Sequence, residues 1–328
     1  MTNPRLALIG CGNIAEFHAP AFREAGFDLA AVTSRPGSTR LRPFAEKHQI
    51  PLVFDDPASL FEARRQWDAV LIMASTEATM ENLMLAVQSD APVMVEKPVS
   101  VHATDLEPLI NKGLPVLVAY NRRFYRTVRE ARREVTEGGP VLAHMAIPDS
   151  VTTPDHPDDD PGYLDRFFSN SVHGLDMLRY IFGDLRVEHV QRNRNSNGAI
   201  TALAAILSAG DGSTVQLTAN WKAPANFTLT LDRPGHRLEL WPFEAGAVYE
   251  GMEVVEPTPE SPIRSFKPKM IDQVKLDEWD YTFKPGFLGQ AKAFLALVNG
   301  EDTGPAATLD DAHAVLKLAE ELTGEPCG

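Results

Sequence analysis

Residues 93–98 read Val-Met-Val-Glu-Lys-Pro, a short apolar run that ends in two opposite charges and a proline. The apolar residues predict a strand buried on both faces, and Pro98 ends it because proline cannot donate a hydrogen bond to a sheet. Glu96 and Lys97 therefore lie at a carboxyl edge, where open α/β sheets bind ligands. A lysine that is partly desolvated there can exchange protons with a substrate hydroxyl. For these residues alone, a surface ion pair at a strand end is the alternative.

The N-terminal segment predicts a strand, a glycine turn and a helix. The apolar run Leu6–Ile9 is followed by Gly-Cys-Gly-Asn-Ile-Ala at residues 10–15 and then by apolar residues at helical spacing. Gly10 permits a tight turn, Gly12 lets the backbone approach a pyrophosphate, and Ala15 lets the helix pack closely on the strand. Free N–H groups at the start of the helix would bind the phosphates. The pattern predicts dinucleotide binding, and a plain tight turn is the alternative. The predicted cofactor contacts are Gly10, Gly12, Asn13 and Ile14.

The end of the second predicted strand, Leu29–Thr33, discriminates between the two nicotinamide dinucleotides. An NAD site usually has Asp or Glu there, whereas an NADP site offers arginine and small hydroxyl residues to the 2′-phosphate. Residues 34–40 read Ser-Arg-Pro-Gly-Ser-Thr-Arg and contain no carboxylate. We therefore predict NADP as the cofactor, with Ser34 and Arg35 as contacts, although the sequence also permits NAD. The alternative is that these arginines are solvated loop cations.

Strands and helices alternate through the rest of the first 120 residues. Further strands are predicted at Pro51–Phe54, Ala69–Ala74 and Pro115–Tyr120, and helices near Phe44–His48 and Thr79–Ser89. Ser75 and Thr76 lie in a polar turn at the carboxyl edge and are predicted to contact the nicotinamide half of the cofactor. This order predicts the α/β class, with a doubly wound, mostly parallel Rossmann sheet over residues 1–120.

Length and composition agree with two soluble domains. The 328 residues are 44% hydrophobic and 23% charged, and a net charge of −14 argues against nucleic-acid or anionic-membrane partners. With only two cysteines there is no disulfide framework, which suits a reducing compartment. The N-terminus leads almost directly into a strand and has no recognisable leader, and the longest apolar run is too short to cross a bilayer. We therefore expect a cytoplasmic protein.

Residues 121–328 predict a second, α+β domain. A helix is expected from Arg122, with Arg122, Arg126, Arg129 and Arg133 along one face. A solvated face is the simpler interpretation for the last two. Arg122 and Arg123 directly follow the last strand of the first domain, and our hypothesis is that they bind an anionic substrate such as a uronate or a nucleotide-activated sugar.

A second helix is predicted over Leu164–Phe182. Its apolar residues form a core-facing stripe, and its polar face carries Ser169, His173, Asp176 and Tyr180. A structural, hydrogen-bonded histidine is the alternative to a catalytic one. The acidic segment Pro148–Pro161 is interpreted as a solvated loop, and no metal site is predicted.

From Arg186 to Glu256 the apolar pattern changes to period two. Predicted strands at 187–190, 199–207, 214–221, 227–231, 237–241 and 247–254 form a large, mostly antiparallel sheet. Pro257–Pro268 is predicted to be a linker. Two helices, Phe287–Asn299 and Leu309–Leu322, close the chain.

Taken together, these motifs resemble the Gfo/Idh/MocA oxidoreductase family over nearly the whole chain. The matching segments are Gly10–Ala15, Glu96–Pro98, Tyr120–Phe124, Val172–Tyr180 and Pro305–Ala312. The resemblance implies hydride transfer between a nicotinamide cofactor and a sugar, cyclic polyol or nucleotide sugar. It implies Lys97 and His173 as catalytic residues and a homodimer or homotetramer formed through the large sheet. The implied substrate contacts are Tyr120, Arg122, Arg123, Ser169 and Asn170, and Glu96 and Lys97 are implied to contact the cofactor.

One departure from the family pattern concerns the chemistry. The family usually has Asp four residues before the histidine and Gly two before it, whereas this chain has Ser169 and Ser171. The carboxylate that supports the histidine is therefore missing. This favours a second interpretation, a non-catalytic regulator or sensor that binds a dinucleotide. Asp176 matches a more structural family position, and we expect it to pair with an arginine or to cap backbone.

Overall fold

The chain forms two β-sheets in the computed structural model, which describes residues 2–148, 167–220 and 223–325. The first sheet contains β1 (Arg5–Ile9), β2 (Asp28–Thr33), β3 (Leu52–Phe54), β4 (Ala69–Ile72), β5 (Val93–Val95) and β6 (Val116–Val118). The second contains β7 (Leu142–Ile147), β8 (Leu185–Arg194), β9 (Ile200–Ala209), β10 (Thr214–Asn220), β11 (Thr228–Arg233), β12 (His236–Leu240), β13 (Ala245–Val255) and β14 (Ser265–Lys275).

Eight α-helices are seen in the described part of the chain, together with shorter helical turns. The α-helices are α1 (Ala15–Ala25), α2 (Leu41–Lys47), α3 (Pro57–Glu62), α4 (Thr76–Gln88), α5 (Arg126–Gly138), α6 (Val172–Phe182), α7 (Phe287–Asn299) and α8 (Leu309–Thr323). The 3-10 turns are Arg64–Gln66, Ala103–Asp105, Asn121–Phe124 and Glu278–Tyr281, and Phe167–Ser171 is a π-helical turn. None of the described helices combines the length and hydrophobicity that crossing a bilayer requires.

The first sheet has the strand order β3-β2-β1-β4-β5-β6, and each of its neighbouring pairs is parallel. The order reverses between β1 and β4, which is the point where doubly wound sheets open a ligand crevice at their carboxyl edge. The turns after β1, β4 and β5 lie at this edge. The predicted Rossmann sheet is thereby confirmed.

Alternate residues of β1 face two different cores. Leu6 and Leu8 pack with residues of α1, α2 and α7, whereas Ala7 and Ile9 belong to a second cluster that includes α3 and α4. Successive strand side chains point to opposite faces, so helices must cover both sides of the sheet. The second cluster continues into β7, α6 and the rest of the large sheet. One apolar core therefore joins the two sheets and fixes the crevice between them.

The second sheet has the order β14-β13-β12-β11-β7-β10-β9-β8, and only the pair of β7 with β10 is parallel. This confirms the predicted mostly antiparallel sheet. Helix α6 lies directly on β7, because a Cβ at Gly174 would be 2.7 Å from Cδ1 of Ile147. The absence of a side chain at Gly174 lets the helix that carries His173 approach the sheet.

Two secondary-structure predictions were wrong in part. The predicted linker Pro257–Pro268 overlaps β14, an edge strand in which nearly every residue is exposed, so its sequence shows neither alternation nor a continuous apolar run. Pro268 is tolerated there because an edge strand has one unpaired side. The helix predicted from Arg122 begins only at Arg126, because Tyr125 has extended backbone angles and separates it from the 3-10 turn.

The chain returns to the first sheet after completing the second. Phe294 of α7 packs on α1, with its ring 6.0 Å from that of Phe22, and the N–H of Val118 donates to the carbonyl of Ala307 at 2.8 Å. The boundary near Tyr120 between a first domain (1–120) and a second (121–328) stays a prediction. The returning segment brings residues 284–287 to the carboxyl edge of the first sheet.

Candidate functional site

The glycine turn after β1 is shaped to receive a ligand. Gly10 has a φ of +106°, and a Cβ there would lie 2.3 Å from the carbonyl oxygen of Met73. At Gly12 an added Cβ would meet nothing within 4 Å, so its side of the turn faces open space. The backbone N–H groups of Gly12, Asn13 and Ile14 donate to no acceptor in the described residues, and no side chain caps α1. This arrangement fits the pyrophosphate of a dinucleotide.

A cavity lined by arginines and aspartates follows β2, where the sequence predicted the 2′-phosphate. Its volume is about 350 Å³, and it is lined by Arg35, Pro36, Gly37, Ser38, Thr39, Leu41, Arg42, Asp55 and Asp56. Arg40 ties this loop to the glycine turn, because its Nη2 donates to Oδ1 of Asn13 at 2.6 Å. Asp56 is already engaged, since it caps α3 by accepting from the N–H of Ser59. Ser34 is buried at the entrance to the loop.

The turn after β4 places Ser75 and Thr76 at the start of α4. Ser75 is the residue before the helix and has extended backbone angles, and its carbonyl accepts from the hydroxyl of Thr79 at 2.9 Å. Thr76 is the first helical residue. Both residues follow a strand of the parallel sheet and lie at its carboxyl edge.

Glu96 is held by a buried histidine at the end of β5. Nε2 of His18, which is fully buried in α1, lies 2.5 Å from Oε1 of Glu96. The other carboxylate oxygen accepts from the backbone N–H of Lys97 at 3.0 Å, and the peptide bond between Lys97 and Pro98 is cis. These contacts fix the backbone from which the Lys97 side chain extends.

Lys97 reaches across the crevice to the segment that carries His173. Its Nζ donates to the carbonyl of Ser169 at 3.1 Å and lies 3.3 Å from Oδ1 of Asn170. The His173 ring makes an edge contact with the Tyr120 ring at a centroid distance of 5.9 Å. The structure therefore brings Lys97, Tyr120, Ser169, Asn170 and His173 together, and their catalytic and substrate-binding roles stay a prediction.

The surroundings of His173 keep its imidazole neutral at pH 7. Burial, and then the charges of Lys97, Arg122 and Lys284, hold the pKa of His173 well below its usual range. Its Nδ1 is buried and has no hydrogen-bond partner among the described residues. A neutral imidazole at this position can accept a proton from a substrate hydroxyl.

Arg122 and Arg123 are neighbours in sequence, but they have different surroundings. The Arg122 guanidinium stacks on Phe227 with its carbon 4.6 Å from the ring centroid, and its Nη1 is buried without a hydrogen-bond partner in the described chain. Arg123 is buried in an ion pair with Asp176, and its Nη2 lies 3.2 Å from Oδ1 of Asp311. The expectation that Asp176 pairs with an arginine is confirmed. The prediction that Arg123 binds substrate is corrected, because its guanidinium is bound to these two carboxylates.

The sequence did not identify two residues of this site, His18 and Lys284. The Lys284 ammonium lies 5.0 Å from the ring centroid of Phe287, and desolvation lowers the pKa of Lys284 against the opposing effect of Glu96. A signal existed for His18, which is a polar residue on the apolar face of α1. No signal was available for Lys284, because it lies far along the chain in an irregular segment.

The helix predicted over Leu164–Phe182 is described only from Phe167, and its first described turn, Phe167–Ser171, is π-helical before α6 begins. The acidic loop interpreted at Pro148–Pro161 lies outside the described residues, apart from Pro148. Within residues 2–148, 167–220 and 223–325, no group of three or more His, Cys, Asp and Glu side chains could hold a metal ion.

Comparison with known proteins agrees with this arrangement. Residues 4–112 match the model of a family described as an oxidoreductase family with an NAD-binding Rossmann fold. Myo-inositol 2-dehydrogenase of Thermotoga maritima is 28% identical over 229 residues, which are 67% of this chain and 66% of that protein. The matched stretch is thus slightly less than two thirds of that relative.

Solved structures share the fold over nearly the whole chain. An oxidoreductase from Thermotoga maritima is 19% identical with a TM-score of 0.76, and the match covers 99% of this chain and 97% of that one. A levoglucosan dehydrogenase in complex with NADH and levoglucosan is 14% identical with a TM-score of 0.76, and the match again covers 99% and 97%. The family model supports the resemblance to the Gfo/Idh/MocA oxidoreductases over residues 4–112, and the solved structures show the same fold over nearly the whole chain.

Proposed function

We propose that the protein is a nicotinamide-dependent dehydrogenase or reductase that acts on a CH–OH group of a sugar, cyclic polyol or nucleotide sugar. The observation that carries this proposal is the contact of Lys97 Nζ with the turn directly before His173, which brings an ammonium and an imidazole to one edge of the sheet. Relatives named for myo-inositol and levoglucosan support a carbohydrate substrate.

Lys97 and His173 would have different roles at the reacting oxygen of the substrate. A nicotinamide cofactor, when bound, supplies or accepts the hydride at the reacting carbon. The Lys97 ammonium would donate a hydrogen bond to the reacting oxygen and stabilise its negative charge. His173 would take the hydroxyl proton in the oxidation and return it in the reduction. Tyr120, Ser169 and Asn170 would line the substrate side of this pair.

Replacement of Lys97 tests the proposed reaction. The assay follows the absorbance of reduced nicotinamide with NADP⁺ or NAD⁺ and a panel of sugars, polyols, uronates and nucleotide sugars. Lys97→Met should lower kcat/KM about 100-fold or more, the usual cost of removing a donor that stabilises negative charge on the reacting oxygen. Lys112→Met is the matched control, since Lys112 is exposed.

Two outcomes of this assay have different consequences. Full activity of Lys97→Met with normal cofactor binding would refute the role of Lys97. Tight cofactor binding by the wild-type protein without turnover across the panel would refute the dehydrogenase. It would support the non-catalytic dinucleotide sensor.

We also propose that NADP is preferred to NAD. The support is the segment after β2, which lacks a carboxylate at the end of the strand and contributes Arg35, Ser38 and Thr39 to this cavity. Arg35→Met should raise the Kd for NADPH about tenfold and leave that for NADH unchanged, because only NADPH carries the 2′-phosphate. Arg65→Met is the control, since Arg65 is exposed outside this cavity. Equal affinities of the wild-type protein for the two cofactors would refute the preference.

Self-association through the large sheet is a further proposal. Met252 and Val254 of β13 and Phe266 and Met270 of β14 are all exposed and lie on neighbouring strands. An apolar patch of this kind on a soluble protein commonly binds a partner, and we propose a second copy of the chain. Light scattering after size exclusion should give a dimer or tetramer, and Phe266→Glu should shift it to monomer. A monomeric wild-type protein at micromolar concentration would refute this proposal.

A further inference from the structure

The proposed reaction leaves two cations of the site without a role, Arg122 and Lys284. The Arg122 guanidinium is held between Phe227, at 4.6 Å, and Phe243, at 5.5 Å. Its Nη1 is buried and makes no hydrogen bond to any described residue. A buried charged donor without an acceptor is costly, so Nη1 of Arg122 is a candidate donor to a bound ligand.

Lys284 lies on a segment that is fastened next to Arg122. Nδ2 of Asn121 donates to the carbonyl of Pro285 at 2.8 Å, so the residues adjoining Arg122 and Lys284 in sequence are hydrogen-bonded to each other. Asp280 secures the same segment by accepting from the N–H of Gly286 at 2.8 Å. The backbone segments that carry the two cations are therefore held together.

The Lys284 ammonium is supported by aromatic rings. It lies 4.9 Å from the ring centroid of Phe17 and 5.0 Å from that of Phe287. Ring faces attract a cation without neutralising its charge, so the ammonium remains available to an anion.

The carboxylates near these cations bind other groups. Glu96 accepts from Lys97 N–H and contacts His18, and Asp176 is paired with Arg123. Among the described residues, neither Arg122 nor Lys284 forms an ion pair with a carboxylate. Desolvation lowers the pKa of Lys284 and the charge of Glu96 opposes this, but the described structure has no ion pair between them, so both cations keep donors that a bound anion could use.

We propose that Arg122 and Lys284 bind the oxyanion of an acidic sugar, a carboxylate or a phosphate, so that the substrate is a charged carbohydrate. This inference rests on the proposed function. The planar guanidinium matches two oxygens of such a group, and the ammonium adds a second charge. Both cations also act electrostatically on His173, so one sugar can place its anionic group here and its reacting hydroxyl at the imidazole.

Binding measurements test the inference without depending on turnover. Calorimetry compares D-glucuronate, D-glucose 6-phosphate and neutral D-glucose on the protein saturated with NADPH, which cannot accept a hydride from the sugar. The wild-type protein should bind one of the two acids about tenfold or more tightly than glucose, and the preferred acid identifies carboxylate or phosphate. Arg122→Met and Lys284→Met should each weaken the binding of that acid about 10- to 100-fold and leave glucose binding unchanged.

Two matched variants control for loss of positive charge and of aromatic contact. Arg126→Met removes an exposed arginine at the start of α5, and Lys292→Met removes a lysine that lies 4.8 Å from the Trp279 ring. Both should bind the acid as the wild type does.

Three results would overturn the inference. The first is equal affinity of the wild-type protein for the acid and for glucose. The second is unchanged acid binding in both Arg122→Met and Lys284→Met. The third is that these variants lose affinity for NADPH and keep their affinity for the acid. Absence of turnover with intact, Arg122-dependent acid binding would count against the proposed reaction alone.

Discussion

Replacement of Arg123 by methionine should destabilise the fold strongly, because it removes one partner of a buried ion pair. The side chains of Arg123 and Asp176 are 6% and 1% exposed. Nε and Nη2 of Arg123 donate to the Asp176 carboxylate at 2.6–3.0 Å. Asp311 is a second partner at 3.2 Å, but its side chain is 32% exposed and can be solvated when the arginine is lost. The Asp176 carboxylate cannot be solvated in this way.

The expected loss is about 3–5 kcal/mol in the free energy of unfolding at pH 7.5, the range found when one partner of a buried pair is removed. Replacing both partners, in Arg123→Met with Asp176→Leu, should recover most of this loss, because no charge is then buried without a partner. The control is Arg133→Met. Its side chain is 54% exposed and pairs with Glu130 and Glu137 on α5, so it should cost only about 0–1 kcal/mol.

The loss should also depend on pH. Burial raises the pKa of Asp176 to about 6, against the opposing effect of Arg123. This value lies above the pKa of about 3.9 in the unfolded chain, so the folded protein binds the Asp176 proton more tightly. The contribution of Asp176 to stability therefore falls as the pH rises from about 4 to about 6. Without Arg123 the pKa of Asp176 in the folded protein rises further, so the stability continues to fall up to a higher pH. The destabilisation should therefore be smaller at pH 5 than at pH 8.

Urea titrations followed by both circular dichroism and intrinsic fluorescence measure these differences, and coincident transitions justify a two-state fit. Cofactor binding to Arg123→Met at low urea checks that the variant reaches the native fold. A loss below about 1 kcal/mol, equal to that of the surface control, would refute the assignment of a buried pair. So would a destabilisation that is larger at pH 5 than at pH 8.

Three other substitutions and one pH profile give distinct outcomes. Gly10→Ala should lose about 1–3 kcal/mol of stability through its positive φ and the clash with Met73, whereas Gly12→Ala should keep its stability and bind NADPH more weakly, as denaturation and fluorescence titration would show. Thr308→Ala should lose about 1 kcal/mol in urea denaturation, because Thr308 caps α8. For sugar oxidation, kcat/KM should stay constant down to about pH 6.5, the ordinary pKa of histidine, because burial and nearby cations lower the pKa of His173. A pH profile of kcat/KM with its acidic midpoint at or above about pH 7 would contradict this.

The sequence was sufficient for features that depend on local pattern. The buried parallel strands of the first sheet were predictable because they are continuous apolar runs, and β5 has the predicted bounds Val93–Val95. The meeting of Lys97 and His173 was predictable from the family motifs, since both follow segments that the fold brings to the sheet edge. The strand β14 was not predictable, because an exposed edge strand has no need to alternate apolar and polar residues.

The different roles of Arg122 and Arg123 could not be predicted from residue type. Arg122 and Arg123 are equivalent in a sequence pattern, and both follow the last strand of the first sheet. Their roles depend on Asp176 and Asp311, which are distant in sequence and approach Arg123 only when α6 and α8 pack against the turn. Lys284 depends in the same way on the return of the chain after the second sheet.

The 3-10 turn Asn121–Phe124 explains how adjacent residues of the same type can serve structure and binding at once. Successive side chains of a 3-10 helix point about 120° apart, so two neighbouring arginines must enter different surroundings. Because Arg123 is anchored to Asp176 and Asp311, the turn cannot rotate, and Arg122 is held against Phe227 with its Nη1 still lacking an acceptor. The buried ion pair therefore pre-organises the proposed anion site, and an Arg123 variant that still folds should bind an acidic sugar more weakly although residue 123 does not contact it.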